Sequence, residues 1–194
     1  GRVADLGCGN GLLLDTLRSM GFRNLEGIDL SPEQVALART RHNKVRQGDL
    51  LRFLQNKRAQ FDLLTCFDVV EHLTREELLT FFRLAHRALR PGGGLILQTP
   101  NGDAPLAGPV IYGDLTHQTI LTAASLAHAL SGAGFSSPQL QEHDPDPSGP
   151  AAALRWMAWK VLRAIYAGLH LIETGSTPGP VSTRVFRAHT RKED

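Results

Sequence analysis

Residues 3–11, Val3-Ala4-Asp5-Leu6-Gly7-Cys8-Gly9-Asn10-Gly11, run from an apolar strand into an acid and then into three glycines at alternate positions. Without a Cβ, glycine lets the backbone turn tightly and come within contact distance of a bound molecule. Leu12-Leu13-Leu14 and Leu17 follow with helical spacing, so the amide-rich start of a helix points back at that molecule. Eighteen residues after Gly11, Asp29 closes a second strand, Leu25-Glu26-Gly27-Ile28. A carboxylate at that place accepts both hydroxyls of a ribose. The two signals together specify a nucleoside-bearing cofactor. The spacing Gly7-x-Gly9-x-Gly11 departs by one residue from the Gly-x-Gly-x-x-Gly of dinucleotide folds, and no Tyr-x-x-x-Lys pair is present. A nicotinamide oxidoreductase is therefore disfavoured.

The elements that must position these residues alternate between strand and helix through the first hundred residues, the pattern of a parallel sheet with helices on both faces. Strands are expected at 2–6, 25–29, 44–47, 61–67, 95–98, 139–143 and 181–189. Helices are expected at 11–20, from Pro32 to about Arg41 with Ser31 as N-cap, from Thr74 to Leu89, and at 123–134. Two segments interrupt the alternation. Residues 100–121 form a Pro- and Gly-rich loop, far longer than an ordinary connection and so a functional one. Residues 144–180 open with Asp144-Pro145-Asp146-Pro147 and contain a helix over 151–172.

The string Asp5-x-Gly7-x-Gly9-x-Gly11 resembles the first motif of class I S-adenosylmethionine-dependent methyltransferases. The turn Leu89-Arg90-Pro91-Gly92-Gly93 before an apolar strand resembles the segment that precedes their fifth strand. The resemblance covers residues 2–143 well, the last strand loosely, and 144–180 only by position. It implies an α/β fold: a Rossmann-like doubly wound seven-stranded sheet, mostly parallel with an antiparallel last strand, over one domain spanning 1–194. Segments 100–121 and 144–180 are implied to form a lid over the substrate side. It also implies a helical segment upstream, so the chain, which starts at Gly1 inside the first strand, is expected to be trimmed.

Cofactor-binding residues follow from the same resemblance. Asp5 supports the turn, Gly7, Cys8, Gly9 and Gly11 form the loop, and Asp29 with Leu30 receives the ribose. Asp49 accepts from the adenine amino group with Leu50 beside the ring, and Phe67 lies near the methionine and adenosine portions. Asp49 also reads as the N-cap of a helix over 50–54, and Phe67 as plain core.

At the end of the fourth strand stands Phe67-Asp68-Val69-Val70-Glu71-His72-Leu73. Many methyltransferases keep a Glu-His pair there with no catalytic duty. With His117 added, Asp68-x-x-Glu71-His72 is similar to the metal site of small-RNA 3′-terminal 2′-O-methyltransferases. It is also similar to the corresponding segment of ubiquinone-biosynthesis O-methyltransferases. The resemblance implies Asp68, Glu71, His72 and His117 as ligands of Mg²⁺ or Mn²⁺, a mixed oxygen and nitrogen set suited to those ions. Asp68 stands one methylene short of the glutamate in those families. Without a metal, His117 is the general base, since imidazole has a pKa suited to taking a hydroxyl proton; a structural histidine bonded to loop backbone is the competing role.

The chain has 194 residues, 42% of them apolar and 21% charged, with a net charge of +2. That is the composition of an ordinary globular domain with one core. Near-neutral charge argues against a nucleic-acid partner. The basic run Arg39, Arg41, His42, Lys44 and Arg46 reads as a solvated helix end, and the histidines other than His72 and His117 as helix-surface or strand-end residues. Two cysteines, Cys8 and Cys66, suggest neither a disulfide framework nor a zinc site, which makes a cytoplasmic setting the expectation.

In helix 151–172, Leu154, Met157, Val161, Ile165, Leu169 and Ile172 share one face, flanked by Trp156, Trp159 and Tyr166 with basic residues nearby. Such a face packs on the domain or on a second copy, or it rests on a membrane surface. The activity expected from all of this is O-methylation of a hydroxyl on a small-molecule, lipid-linked or glycan acceptor. RNA 2′-O-methylation and a non-catalytic S-adenosylmethionine-binding module are the alternatives.

Overall fold

The computed structural model describes residues 1–142 and 148–193. Seven strands form one sheet in the order β3-β2-β1-β4-β5-β7-β6. They are β1 (Arg2–Leu6), β2 (Asn24–Asp29), β3 (Val45–Gln47), β4 (Phe61–Phe67), β5 (Leu89–Pro100), β6 (Gln139–Glu142) and β7 (Val185–Arg191). The pairs β1–β2, β1–β4, β2–β3 and β4–β5 are parallel; β7 runs antiparallel between β5 and β6. The expected continuation of β6 to His143 and the start of the second insertion at 144–147 lie outside the described residues.

β1 shows why the sheet is buried on both faces. Successive side chains point to opposite sides, so Val3 joins a cluster with Leu14, Leu17, Leu25, Val35 and Val45. Ala4 and Leu6 join the other cluster, with Phe61, Leu64, Phe81, Phe82, Leu126 and Phe186. Helices α1 (Leu12–Ser19) and α2 (Pro32–Arg39) cover the first face. The second is covered by α3 (Leu50–Gln55), α4 (Arg75–Ala88) and α6 (Ala123–Gly132).

Caps set these helices as their sequences imply. Ser31 accepts from Gln34 N at the start of α2, and Thr74 with Glu77 forms a capping box at the start of α4. Leu89, expected to end α4, instead begins β5 and pairs with Phe61. The Pro91-Gly92-Gly93 stretch is absorbed as an irregularity before Gly94 pairs with Leu63.

Two buried polar groups correct or extend the expectations. His42 is not on a solvated surface. It is buried at 3% exposure, with Nε2 2.8 Å from Asp15 Oδ1 and Nδ1 2.9 Å from Arg18 Nη2. Arg41 also reaches Asp15 and the Asn10 carbonyl, so this basic run fastens the end of α2 to α1. Asp5, in the middle of the parallel strands, accepts a 2.7 Å bond from the Thr65 hydroxyl. Burial pushes its carboxyl up to about 6, against the smaller lowering effect of that bond.

The first insertion contains a short helix, α5 (Gly108–Ile111), over a small cluster of Ala104, Ala107 and Ile111. Its root is held by Asn101, wholly buried, whose Nδ2 donates to the carbonyls of Val181 and Thr183. The second insertion carries α7 (Pro150–Thr174). Its expected packing on the domain through the aliphatic row does not occur: Leu154, Met157, Val161, Ile165, Leu169 and Ile172 are between 53% and 84% exposed. The opposite side, with buried Ala152 and half-buried Trp156, Trp159, Arg163 and Tyr166, meets the body. Arg163 pairs with Glu142 there, and the Tyr166 hydroxyl donates to the Asp103 carbonyl. Among the described residues no helix is long and apolar enough to cross a membrane.

Two stability measurements follow. Phe186→Ala empties a fully buried position on β7 and should lower the unfolding free energy in urea by about 3–5 kcal/mol. Because folding raises the pKa of Asp5, its contribution is present below the ordinary carboxylate range and is lost as pH rises toward about 6. Asp5→Asn should therefore gain on the wild type between about pH 4 and 6, by an amount on the order of 3 kcal/mol. A pH-independent difference in melting temperature would contradict this.

Candidate active site

The carboxyl ends of β1, β2 and β4 lie side by side, and there the loops form one cavity of about 650 Å³. Gly7, Ile28, Asp29, Leu30, Ser31, Gly48 and Leu50 line one part of it, and Val69, His72 and Thr116 the other. Gly7 has φ +80°, and a Cβ built there would sit 2.2 Å from Val69 Cγ2. Only glycine lets the β1 and β4 loops approach this closely. Both Asp29 oxygens accept backbone bonds, Oδ2 from Gly9 N at 2.8 Å and Oδ1 from Ser31 N at 2.9 Å. The carboxylate thus braces the glycine loop against the turn into α2. Each oxygen keeps a lone pair for a ligand hydroxyl.

The other expected cofactor residues divide by what their side chains do. Leu30 and Leu50 line the cavity. Asp49 sits between the lining residues Gly48 and Leu50, and its Oδ1 accepts from Arg52 N as the N-cap of α3. Asp5 lies beneath the loop, buried on Thr65. Cys8 is turned away from the cavity: its Sγ would be 2.7 Å from a Cβ on Gly27, and burial first, then Asp5 and Asp29, push its thiol up to about 12. Gly11 faces α2, where an added Cβ would meet His42 and Ala38. Phe67 is not among the lining residues; the Arg187 guanidinium lies over its ring at 5.7 Å.

The ligand set splits as well. Glu71, His72 and His117 each place one donor atom within 4.8 Å of the others', and the two imidazole rings stand edge-on at 4.9 Å. Asp68 is outside this group. Its backbone is left-handed, φ +54°, and its Oδ2 accepts from Gln98 Nε2 at 2.9 Å, which commits the carboxylate to β5.

Backbone bonds hold the loop after β5 on the 3₁₀ turn Val70–His72. Gln118 N and Thr119 N both donate to the Glu71 carbonyl, Gln118 Nε2 to the His72 carbonyl, and Thr119 Oγ1 to the Leu73 carbonyl. The Glu71 side chain is buried beside the Thr99 hydroxyl. Burial raises its pKa to about 7; Asp68 adds to the rise, and backbone bonding and His117 oppose it.

Hydrogen bonding also settles both imidazole tautomers. His117 Nδ1 lies 3.0 Å from the Ile111 carbonyl, which can only accept, so Nδ1 carries a proton and, in the neutral ring, Nε2 carries the lone pair. The Thr116 hydroxyl donates to Asp114 Oδ1 at 2.6 Å, so it accepts from His72 Nδ1 at 2.8 Å. In the neutral His72 ring the lone pair is likewise on Nε2. Thr116 bonding holds Asp114 below the usual carboxylate range. No sequence motif assigns Thr116 or Asp114 a role. The spacing Asp-x-Thr, which forms an Asx turn with Thr116 N on Asp114 Oδ1, is the signal that marks them.

A family model for the methyltransferase domain matches residues 1–139. A ubiquinone biosynthesis O-methyltransferase of Pseudomonas aeruginosa is 31% identical over 106 residues, covering 52% of this chain and 44% of that protein. Its counterpart in Xanthomonas oryzae pv. oryzae is 29% identical over 165 residues, covering 80% and 60%. The chain thus spans between 44% and 60% of the length of these relatives. Among solved structures, a SAM-dependent methyltransferase from Archaeoglobus fulgidus superposes with a TM-score of 0.73 at 18% identity, covering 98% of this chain and 86% of that one. Phosphoethanolamine N-methyltransferase 2 of Haemonchus contortus, solved with S-adenosyl-L-methionine, superposes at 0.64 with 15% identity, over 100% and 49%. These two structures share the fold. With the methyltransferase domain model matching residues 1–139 of the chain, and with the glycine loop, Asp29 and their cavity at the strand ends, the chain belongs to the class I S-adenosylmethionine-dependent methyltransferases.

Proposed function

We propose that this chain transfers the methyl group of S-adenosylmethionine to a hydroxyl oxygen of a small-molecule, lipid-linked or glycan acceptor. The observation that carries this reading is the continuity of the cavity, which joins Gly7, Asp29 and Leu50 at one end to His72 and Thr116 at the other. Asp29 would hold the ribose of S-adenosylmethionine and Leu50, with Asp49 at hand, its adenine, which leaves the part of the cavity beside His72 and Thr116 for the reacting groups. An acceptor oxygen held in line attacks the methyl carbon. The C–O bond forms as the C–S bond breaks, and the electron pair of that bond returns to sulfur. The names of the relatives in Pseudomonas and Xanthomonas favour oxygen as the nucleophile.

The acceptor's hydroxyl proton passes to the imidazole pair. His72 lines the cavity, His117 stands beside it, and each has a basic Nε2 fixed by the bond at Nδ1. Most of the rate comes from orientation, since the acceptor and the methyl group are held together in one cavity. Glu71, His72 and His117 also fit Mg²⁺ or Mn²⁺, because one carboxylate and two tautomer-fixed imidazoles converge within 4.8 Å. Bound there, such an ion would occupy imidazole lone pairs and would itself lower the pKa of the acceptor hydroxyl, replacing the imidazole pair as the means of activating it.

Calorimetric titration with S-adenosylhomocysteine should show micromolar binding, weakened about tenfold or more by Asp29→Ala, since a hydrogen-bonded charge is worth about 1.5–3 kcal/mol. A folded chain that does not bind would refute the cofactor reading. In methyl transfer to a panel of catechols, polyprenyl phenols and short oligosaccharides, His117→Ala should reduce kcat by about 10²-fold or more with KM little changed. An unchanged kcat would remove His117 as a base, and full turnover in EDTA would remove the metal.

A further inference from the structure

We propose that Asp114 and Thr116 are positioning residues for the reaction, with Asp114 deciding, through the Thr116 hydroxyl, which nitrogen of His72 holds the lone pair. The role in the reaction rests on the methyl-transfer reading; the hydrogen-bond relay itself is independent of it. A neutral imidazole carries its proton on either nitrogen, and a hydroxyl both donates and accepts, so His72 and Thr116 alone suit either tautomer. Asp114 removes that freedom. Its carboxylate only accepts, and it takes the single Thr116 hydroxyl proton at 2.6 Å. Thr116 Oγ1 is left with lone pairs alone, so across 2.8 Å His72 Nδ1 must donate to it. The neutral His72 ring therefore keeps Nε2 for an acceptor proton or for an ion. Asp114 sets this without lining the cavity, whereas Thr116 and His72 both line it.

The surrounding bonds hold the relay in register. Asp114 Oδ1 accepts from the Thr116 backbone N at 2.8 Å as well as from its hydroxyl, so one oxygen fixes both the turn and the side chain. Two residues on, Gln118 Nε2 donates to the His72 carbonyl at 2.8 Å, and Gln118 N and Thr119 N donate to the Glu71 carbonyl. The loop after β5 thus grips His72 at its main chain and at its ring together. The two imidazoles also differ in what stands behind them. His117 Nδ1 meets a neutral carbonyl, that of Ile111, whereas His72 Nδ1 meets a hydroxyl backed by a negative charge. A carboxylate so placed favours the imidazolium that forms when His72 takes a proton, and it holds the ring in the receiving orientation. Asp114 and Thr116 are exposed and His72 is half-buried. Water competes at such a site, which sets the expected effect at the lower end of the range for partners of this kind, about tenfold.

The test reads the tautomer directly, by long-range proton–nitrogen NMR of the ¹⁵N-labelled, EDTA-treated chain at about pH 8.5, above the ordinary histidine range. His72→Gln identifies the His72 signals among those of the eight histidines. Wild-type His72 should carry its proton on Nδ1. In Asp114→Ala the Thr116 hydroxyl is released to donate to Nδ1, and the His72 proton should move to Nε2. Thr116→Val should give a mixture of both forms, and Thr116→Ser should restore the wild-type signature. In methyl transfer, Asp114→Ala and Thr116→Val should each lower kcat about tenfold with KM little changed, and Thr116→Ser should recover most of that loss. Circular dichroism would confirm that each variant is folded. A wild-type His72 protonated on Nε2 overturns the proposal, as does a tautomer that Asp114→Ala leaves in place, or a kcat that stays at the wild-type value after the tautomer has moved. If the wild type does not bind S-adenosylhomocysteine, the methyl-transfer reading fails and the role in the reaction falls with it. An unmoved tautomer in a chain that does bind overturns the positioning role alone.

Discussion

Every part of the candidate site depends on β1 being paired in parallel with β2 on one side and β4 on the other. Parallel pairing brings the carboxyl ends of these strands to one edge of the sheet. The chain leaves β1 toward β2 and later returns to β1's other side as β4, which opens a crevice between the loops. The loops can close that crevice only because Gly7 has no side chain where Val69 stands. Asp29 then locks the arrangement by accepting from Gly9 and Ser31 together. One carboxylate therefore braces the loops around the cavity and retains acceptor capacity for a ribose.

A second constraint brings distant chemistry to that crevice. The loop after β5 is bonded to the 3₁₀ turn after β4 through the carbonyls of Glu71, His72 and Leu73. This places His117 beside His72 across 45 positions of sequence, as 117 minus 72 gives. Asn101 anchors the root of the same loop to the segment before β7. Such bonding leaves both imidazoles with one defined tautomer, a requirement shared by a proton acceptor and a metal ligand. Glu71, buried and raised to about 7, belongs electrostatically to the same unit as His117.

How much of this was legible depended on the range of the forces involved. β1 and β4 were placed residue for residue from their apolar runs, and the α2 and α4 starts from their caps. The glycine loop was legible because backbone clearance is a property of residue type alone. The family resemblance implies Asp68 as a ligand beside Glu71, His72 and His117, yet its left-handed backbone and its bond to Gln98 direct the carboxylate to β5. Thr116 and Asp114 carried a local turn signal, but their importance comes from meeting His72, 44 positions from Thr116.

The sequence by itself determined most of the elements, their alternation, the glycine turn and the acids at the strand ends, because periodicity, capping and glycine freedom act within a few residues. Only the tertiary structure decided which of those groups converge. His42 is buried because Asp15, on another helix, receives it, and Cys8 points into the core because Gly27 leaves room there. For α7 the sequence defined two faces, one aliphatic and one aromatic and basic. Which of them meets the body was decided by Glu142 and the Asp103 carbonyl, partners that no helical periodicity can specify.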